Sequence, residues 1–218
     1  MSDTGWVSPG TVVSDSSVGT VVWTNPSNAT ASDNSDAVAD SNDNSSLYTT
    51  WEDYLVKLVD ETGSIVGDNK SSNTELDSSD TYRAYGGSTD KWGETLSVSD
   101  INDSDFGVVF QTTRDETETP SEFSEYLKAT NFGFSITAGS TINGIEVRVE
   151  QSRERINIGG GGMPPVPDDY RERAYVDHIQ IKVYYTEGST PAVGTKYHLP
   201  PFKRSSSSEG DNPPQEPI

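Results

Sequence analysis

The chain is 218 residues long, has a formal net charge of −20 and contains no cysteine. This length is compatible with one large all-β domain. Without cysteine the chain has no disulfides and no thiolate metal sites. The negative charge argues against nucleic acids and anionic membranes as partners, because the surface would repel their phosphate groups.

The acidic composition is typical of proteins from high-salt organisms. The chain has 20 Asp and 15 Glu but only seven Lys, and concentrated salt would screen the repulsion among these charges. A highly soluble acidic protein from an ordinary medium is the alternative, and composition alone leaves both open.

The two ends of the chain differ from its middle. Residues 1–20 are predicted to form an arm or edge strand, and they lack the basic and apolar segments of a secretion signal. Residues 188–218 contain six of the twelve prolines and a run of four serines, which predicts an extended tail. No apolar run approaches the roughly 18 residues of a membrane-spanning helix. We therefore expect a soluble protein with one folded domain over residues 21–187.

Short apolar runs between Gly-rich and Asp-rich turns predict seven strands in this domain. They cover residues 21–24, 54–59, 82–85, 106–111, 127–136, 144–150 and 175–186. One short helix is a candidate in the segment "SEFSEYLKAT", which begins at Ser121 directly after Pro120.

The last two strands have the clearest pattern. Apolar residues recur at every second position, first at Ile145, Val147 and Val149 and later at Ile179, Ile181 and Val183. Such alternation is typical of antiparallel sheets with one face on the core and one in water. We therefore expect an all-β fold, an antiparallel and jelly-roll-like β-sandwich with extended terminal arms.

Several segments together resemble a known family. They are "WTNPSNATASDN", "SIVGDNK", "YGGSTDKWG", "DINDSDFGVVF", "YLKATNFGFSITAGSTINGIEVRVE" and "YVDHIQIKVYYT". The chain resembles, over roughly residues 6–187, a recurrent β-sandwich module of the virion structural proteins of phages and prophages. The resemblance implies a virion building block and not an enzyme.

The order of the blocks departs from the family pattern. In the family, the block that corresponds to residues 126–150 precedes the block that corresponds to residues 55–93, whereas in this chain it follows. A sandwich tolerates such a permutation, because strands pair by register whatever their order in the chain.

Candidate catalytic residues are scarce. The only histidines are His178, expected on the solvated face of a strand, and His198, which lies in the tail. A Ser-His-Asp triad or a two-histidine metal site is therefore not expected. We predict that the protein is not an enzyme.

Two acidic segments are candidate cation sites. The first comprises Asp100, Asn102, Asp103 and Asp105. It has the oxygen density of a Ca²⁺ loop but not the spacing of an EF-hand, so an Asx-rich turn is the alternative. The second comprises Asp33, Asp36, Asp40 and Asp43. A solvated loop is the preferred interpretation of this segment, and a cation site is the alternative. No cofactor is expected other than bound cations such as Ca²⁺.

Receptor or partner contacts are predicted at Trp92, Met163, Tyr197 and Phe202. Trp92 is expected at the sandwich edge, either packed there or serving as a platform for sugars. Met163 follows four glycines in an expected flexible loop. Tyr197 and Phe202 belong to "KYHLPPFKR", a basic and aromatic segment that either orders on a neighbouring chain or is part of a disordered tail.

These features favour a capsid-associated decoration or turret protein of a tailed virus. Such a protein would form a trimer or pentamer on the virion and contact the major capsid protein. A tail or fibre module that binds a host receptor or glycan is the alternative, and a cellular adhesin or surface-layer protein is a third. Residues 1–120 hold 22 acidic and 5 basic side chains against 13 and 10 in the remainder. We therefore expect residues 1–120 to face outward and the remainder to face the shell.

Overall fold

Two antiparallel six-stranded sheets, named A and B, form the protein. The computed structural model describes residues 1–41, 50–114, 122–158 and 170–188. Sheet A holds, in spatial order, β3 (Trp23–Thr24), β4 (Ala37–Asp40), β12 (Tyr170–Thr186), β11 (Thr141–Asn157) and β7 (Thr81–Gly87), and β1 (Ser2–Asp3) also pairs with β12. Sheet B holds β2 (Thr11–Asp15), β10 (Tyr126–Thr130), β8 (Gly107–Arg114), β5 (Trp51–Val59) and β6 (Ile65–Val66), and β9 (Glu122–Phe123) also pairs with β8.

In the described residues, helical structure is confined to short segments. Helix α1 spans Val98–Asn102, and a 3₁₀ turn spans Pro26–Ala29. Within the described ranges, no helix is long and apolar enough to cross a membrane.

The predicted antiparallel β-sandwich is confirmed. Each of the seven predicted runs contains a strand, whereas β1, β2, β4, β6 and β9 were not predicted as separate strands because they have at most five residues. The candidate helix in the segment from residue 121 does not form, since this stretch supplies β9 and β10. The reason is tertiary: Leu127 and Ala129 alternate into the core while β10 pairs with both β2 and β8.

The core lies between the inner faces of the two sheets. Trp51 and Phe110 of sheet B are fully buried, and the ring of Trp23 lies 6.3 Å from the ring of Phe110. Facing them are the alternating side chains of β11 and β12, among them Val147, Val149, Ile179, Ile181 and Val183. Burying each such side chain stabilises the fold by roughly 1.5–3 kcal/mol relative to exposure.

The long hairpin of β11 and β12 contains a bulge at Asp177. Gln151 pairs with Val176 and Glu150 pairs with His178, so Asp177 is the extra residue on β12. The bulge shifts the alternation by one residue, which explains why inward apolar residues occur at Val176 and then at Ile179.

The two halves of the sequence are not segregated in space. Both sheets combine strands from residues 1–120 with strands from residues 122–188. The expectation that residues 1–120 form the outward side and the remainder the inward side is therefore wrong. Because each sheet contains strands from both halves, surface charge must be assigned to faces of the sandwich and not to halves of the chain.

Candidate functional site

Trp92 is placed where it cannot contact a receptor. Its side chain is fully buried, and its indole Nε1 donates a hydrogen bond to the carbonyl oxygen of Ile145 at 3.0 Å. Gly86 makes room for it, because a Cβ there would lie 2.6 Å from that nitrogen. The predicted contact role of Trp92 is corrected to packing at the sandwich edge, which was the other interpretation of this residue.

The predicted Ca²⁺ segment forms the end of α1 and the turn after it. Asp100 Oδ2 accepts a hydrogen bond from the Ser97 backbone N–H, and Ser97 Oγ accepts one from the Asp100 N–H, which makes a capping box. Asp103 Oδ1 accepts from the Asp105 N–H at 2.9 Å. These carboxylates accept hydrogen bonds from nearby backbone N–H groups and do not converge on a common position where an ion could bind.

Asn102, the remaining member of the segment, has another structural role. Its side-chain amide donates to the Ile136 carbonyl and accepts from the Ile136 N–H, both at 2.9 Å. Among the described residues there is no group of three His, Cys, Asp or Glu side chains that could hold a metal ion. The geometry therefore supports the Asx-rich turn.

His178 lies in a hydrogen-bonded cluster on the outer face of sheet A. It is only 6% exposed, which corrects the expectation of a solvated residue. Its Nε2 lies 2.8 Å from Ser8 Oγ, and its Nδ1 lies 3.0 Å from the Tyr82 hydroxyl. Burial lowers the pKa of His178, and the nearby carboxylates of Glu150 and Asp177 oppose that shift.

The Ser8–His178 pair has the spacing of a nucleophile and a base, but the partner at Nδ1 is a tyrosine hydroxyl and not a carboxylate. Gln180 Nε2 also donates to Ser8 Oγ at 3.2 Å. The serine hydroxyl is thus part of a structural network, which supports packing as its role.

Arg148 covers this cluster on the solvent side. Its guanidinium carbon lies 4.2 Å from the ring centroids of both Trp6 and Tyr82. Its Nε donates to Gln180 Oε1 at 2.7 Å. The rings and the guanidinium stack as a cation–π sandwich that fixes the N-terminal segment onto sheet A.

An acidic cavity of about 250 Å³ opens beside this cluster and is lined by Asp36, Asp80, Ser152 and Tyr175 among others. Burial, together with the negative charges of Asp80, Asp177, Glu150 and Asp33, raises the pKa of Asp36 to about 6. Asp36 Oδ1 has no hydrogen-bond partner within the described part of the chain. Asp36 and its acidic neighbours therefore repel one another at neutral pH.

Asp40, another member of the second acidic segment, forms ion pairs with two arginines on sheet A. Its carboxylate lies 3.5 Å from Arg171 Nε and 2.9 Å from Arg173 Nε. Asp40 thus points to arginines of β12 and does not join Asp36 in the cavity. The geometry does not support a cation site that combines the two residues.

A layer of charged side chains fills one end of the space between the sheets. Asp53 is fully buried, and its Oδ1 lies 3.3 Å from Arg83 Nη1. Arg114 is fully buried and lies beside Glu122, while Glu172 is 3% exposed and lies 3.3 Å from Arg155. The apolar core therefore ends in a layer of ion pairs.

This charged layer was not predicted from the sequence, although a signal was present. In "EVRVEQSRERI" the inward alternation of Val147 and Val149 continues through the buried Gln151 to Arg153 and Arg155. Charged residues that remain in phase with the apolar positions indicate a polar layer within a sandwich.

The outer face of sheet B carries a surface that we call the aromatic face, formed by Val13, Tyr54, Leu55, Lys57, Phe123, Tyr126 and Lys128. The rings of Tyr54 and Phe123 meet edge to face with centroids 4.8 Å apart. Tyr54 is 40% exposed and Val13 is 43% exposed. Lys57 and Lys128 lie on either side of Val109, so the face has basic rather than acidic side chains at its centre.

The remaining predicted contacts fall on other parts of the chain. Met163, Tyr197 and Phe202 lie outside the described residues, as do Asp43 and the tail after Gly188.

Comparison with known proteins adds no assignment, because no family model, curated protein or solved structure matches the chain.

Proposed function

We propose that this protein is a structural component of the virion of a tailed virus, and most specifically a decoration or turret protein of the capsid. The observation that carries the proposal is the aromatic face of sheet B. A chain with a net charge of −20 presents, on this face, the exposed side chains of Tyr54 and Val13 and further partly exposed apolar and aromatic side chains beside two lysines. Surfaces of this kind mark protein interfaces.

The composition of the aromatic face fits attachment to another protein. Aromatic residues are enriched at interface centres, whereas acidic residues and lysines are depleted there, so this argument rests on the aromatic rings and not on the two lysines. The strand backbone beneath them is rigid, so little conformational entropy is lost when the face is covered. The proposed occupant is the outer surface of the major capsid protein, and the acidic remainder of the surface would keep assembled particles apart.

The arrangement of polar residues supports an assembly role over catalysis. The Ser8–His178 pair belongs to a packing network, and the ion pairs of the charged layer are largely enclosed between the sheets. In this proposal the protein forms trimers or pentamers once it is bound to the capsid lattice. It needs no cofactor for its function and resides on the virion after assembly in the host cytoplasm.

Binding of the purified chain to capsids tests the proposal directly. The particles are those of the virus or prophage whose genome encodes the chain, prepared without it, and binding is measured by cosedimentation. We expect the wild type to bind and the Val13→Glu and Tyr54→Glu variants to lose at least about tenfold in affinity, which is about 1.4 kcal/mol.

The control for this experiment is Val22→Glu. Val22 is 54% exposed and belongs to no strand, so this variant adds the same charge away from the aromatic face. Equal binding by all four proteins would exclude the aromatic face as the attachment surface. Failure of the wild type to bind any capsid would contradict the decoration role.

A further inference from the structure

Strand β7 is an open edge of sheet A. It pairs with β11 from Thr81 to Gly87, and it is the last strand in the spatial order of the sheet. Within the described ranges no strand or isolated bridge lies on its other side. In an antiparallel strand about half of the backbone N–H and C=O groups point away from the paired neighbour, so these groups face an unoccupied edge.

The neighbouring edge of sheet B is protected. Residues 69–76 run beside β5, where the Lys70 N–H donates to the Val56 carbonyl and the Leu76 N–H donates to the Trp51 carbonyl. The Asn69 side chain accepts from the Val56 N–H as a strand would. The described part of the chain thus covers the edge of β5 and leaves the edge of β7 uncovered.

Other strands at the margins of the sheets offer less backbone. β3 and β6 have two residues each, and β2 has five. β2 is also approached from its own chain, because the Trp23 N–H donates to Ser14 Oγ. β7, with seven residues, is therefore the longest open edge in the described part of the molecule.

The sequence of β7 lacks the features that normally block an edge. "TYRAYGG" contains no acidic residue, no lysine and no proline, although such residues protect exposed edges in natural proteins. Its one charged side chain, Arg83, is bound to Asp53 and to the carbonyls of Thr74 and Glu75. The guanidinium is therefore not available to repel an approaching strand.

We propose that β7 pairs antiparallel with β7 of a second copy of this chain, which joins the two A sheets across a twofold axis at Ala84. Seven residues centred on Ala84 then face one another. Arg83 lies opposite Tyr85 of the partner subunit, and Tyr82 lies opposite Gly86 of the partner subunit. No like charges meet within the paired strands, and the glycine leaves space beside the Tyr82 ring.

The charge distribution around β7 favours a second copy in this register. The acids nearest to β7 in sequence are Asp80 and Asp90, and both lie beyond the ends of the paired segment. Glu146 and Glu150 lie on β11, one strand away from the contact. No acidic side chain therefore lies within the paired strands themselves, in a chain that carries 35 acidic residues. This inference rests on the edge of sheet A and does not depend on the virion assignment, which rests on sheet B.

The test uses charge reversal at the axis. Ala84 is exposed, so Ala84→Glu and Ala84→Lys variants are expected to fold, which circular dichroism and thermal melting verify. In each variant two like charges meet at the twofold axis. Sedimentation velocity at concentrations up to about 100 μM is expected to show that the wild type forms dimers. The dimerisation Kd of each single variant is expected to be at least about tenfold weaker, which is about 1.4 kcal/mol in the free energy of dimerisation.

Mixing the two variants makes the test specific. A mixture of Ala84→Glu and Ala84→Lys chains is expected to restore dimerisation, because opposite charges then meet at the axis. Val22→Glu is the charge control and is expected to dimerise like the wild type. A monomeric wild type, an assembly that neither variant weakens, or a mixture that stays monomeric overturns the proposal.

Discussion

Asp177 shows how one residue organises the outer surface of sheet A. As the extra residue of a β-bulge, it is 2% exposed, and its Oδ1 accepts hydrogen bonds from the backbone N–H groups of Asp33 and Ser35. The loop before β4 is thereby fixed over the sheet. Burial raises the pKa of Asp177, and hydrogen bonds from the backbone of this loop oppose the rise. The same loop carries Asp36 into the acidic cavity.

Replacing Asp36 with Asn is expected to stabilise the protein at neutral pH. Its pKa is about 6 in the folded state and 3.8 as the ordinary value, so the folded state holds the proton more tightly than the unfolded state. Stability should therefore fall as pH rises from about 4 to about 6, and remain lower above that range. After a discount for solvent screening, we expect a gain of about 1 kcal/mol, or about 2–4 °C in Tm, at pH 7.5.

The measurement for Asp36 is thermal melting at pH 4 and pH 7.5. Asp105→Asn is the matched control, because Asp105 is exposed and its substitution removes the same charge outside the cavity. A gain for Asp36→Asn that is as large at pH 4 as at pH 7.5, or a gain equal to that of the control, would contradict repulsion within the cavity.

Asp53 is the second residue for which substitution has a defined outcome. Its carboxylate accepts hydrogen bonds from the N–H groups of Ser72 and Thr74 and from Arg83. Asp53→Ala leaves the Arg83 charge and these donors without their partner, so we expect a loss of about 3–5 kcal/mol in the free energy of unfolding. Urea denaturation measures it. Asp105→Ala serves as control. A loss below about 1 kcal/mol for Asp53→Ala would contradict a stabilising role for the hydrogen bonds that Asp53 accepts.

Among the structural elements, α1 illustrates how acidic residues serve a local structure. The capping box at Ser97 and Asp100 and the turn at Asp103 use the oxygens that a Ca²⁺ ion would need. The core contribution of this segment comes from Ile101 and Phe106, both fully buried. Its stability should therefore respond to loss of the cap and not to loss of a cation.

The Ser97→Ala substitution is expected to lower the free energy of unfolding by about 1 kcal/mol, the usual contribution of an N-cap. Chelation with EDTA, and subsequent addition of Ca²⁺, are expected to leave the melting curve unchanged. Differential scanning calorimetry of the wild type and the Ser97→Ala variant, each with and without chelator, measures both the N-cap contribution and the effect of chelation. A drop in Tm with EDTA that Ca²⁺ reverses would instead establish a cation site.

Local pattern was sufficient to predict some elements and not others. The alternation in β11 and β12 predicted an antiparallel sandwich correctly, because their inward faces are apolar over most of their length. The strand predicted to reach residue 136 ends at Thr130, since Asn131 has a φ of 58° and turns the chain away. Phe132, Phe134 and Ile136 alternate into the core without belonging to a strand.

The candidate sites were less predictable than the fold, for a physical reason. Whether an aromatic residue is buried depends on contacts between distant segments. Trp92 is buried because Gly86 leaves space for its indole ring and the Ile145 carbonyl, distant in sequence, accepts a hydrogen bond from its Nε1. The aromatic face likewise combines residues of β2, β5, β9 and β10, which meet only through the register of sheet B.

For the molecule as a whole, net charge sets how stability depends on salt. With a charge of −20, self-repulsion destabilises the compact state, and salt screens it. Raising NaCl from about 0.1 M to about 2 M is expected to increase Tm, as the composition of a high-salt protein predicts. Melting curves across this range give the result, and an unchanged Tm would contradict adaptation to high salt.

Position on the particle tests the proposed virion role most directly. The measurement is cryo-electron microscopy of intact virions of the virus that encodes this chain. We expect regularly arrayed copies on the capsid lattice, with the aromatic face of sheet B against the major capsid protein. Copies found only at the tail tip would contradict the decoration role and identify a host-recognition module instead, and particles without the chain would contradict a virion role altogether.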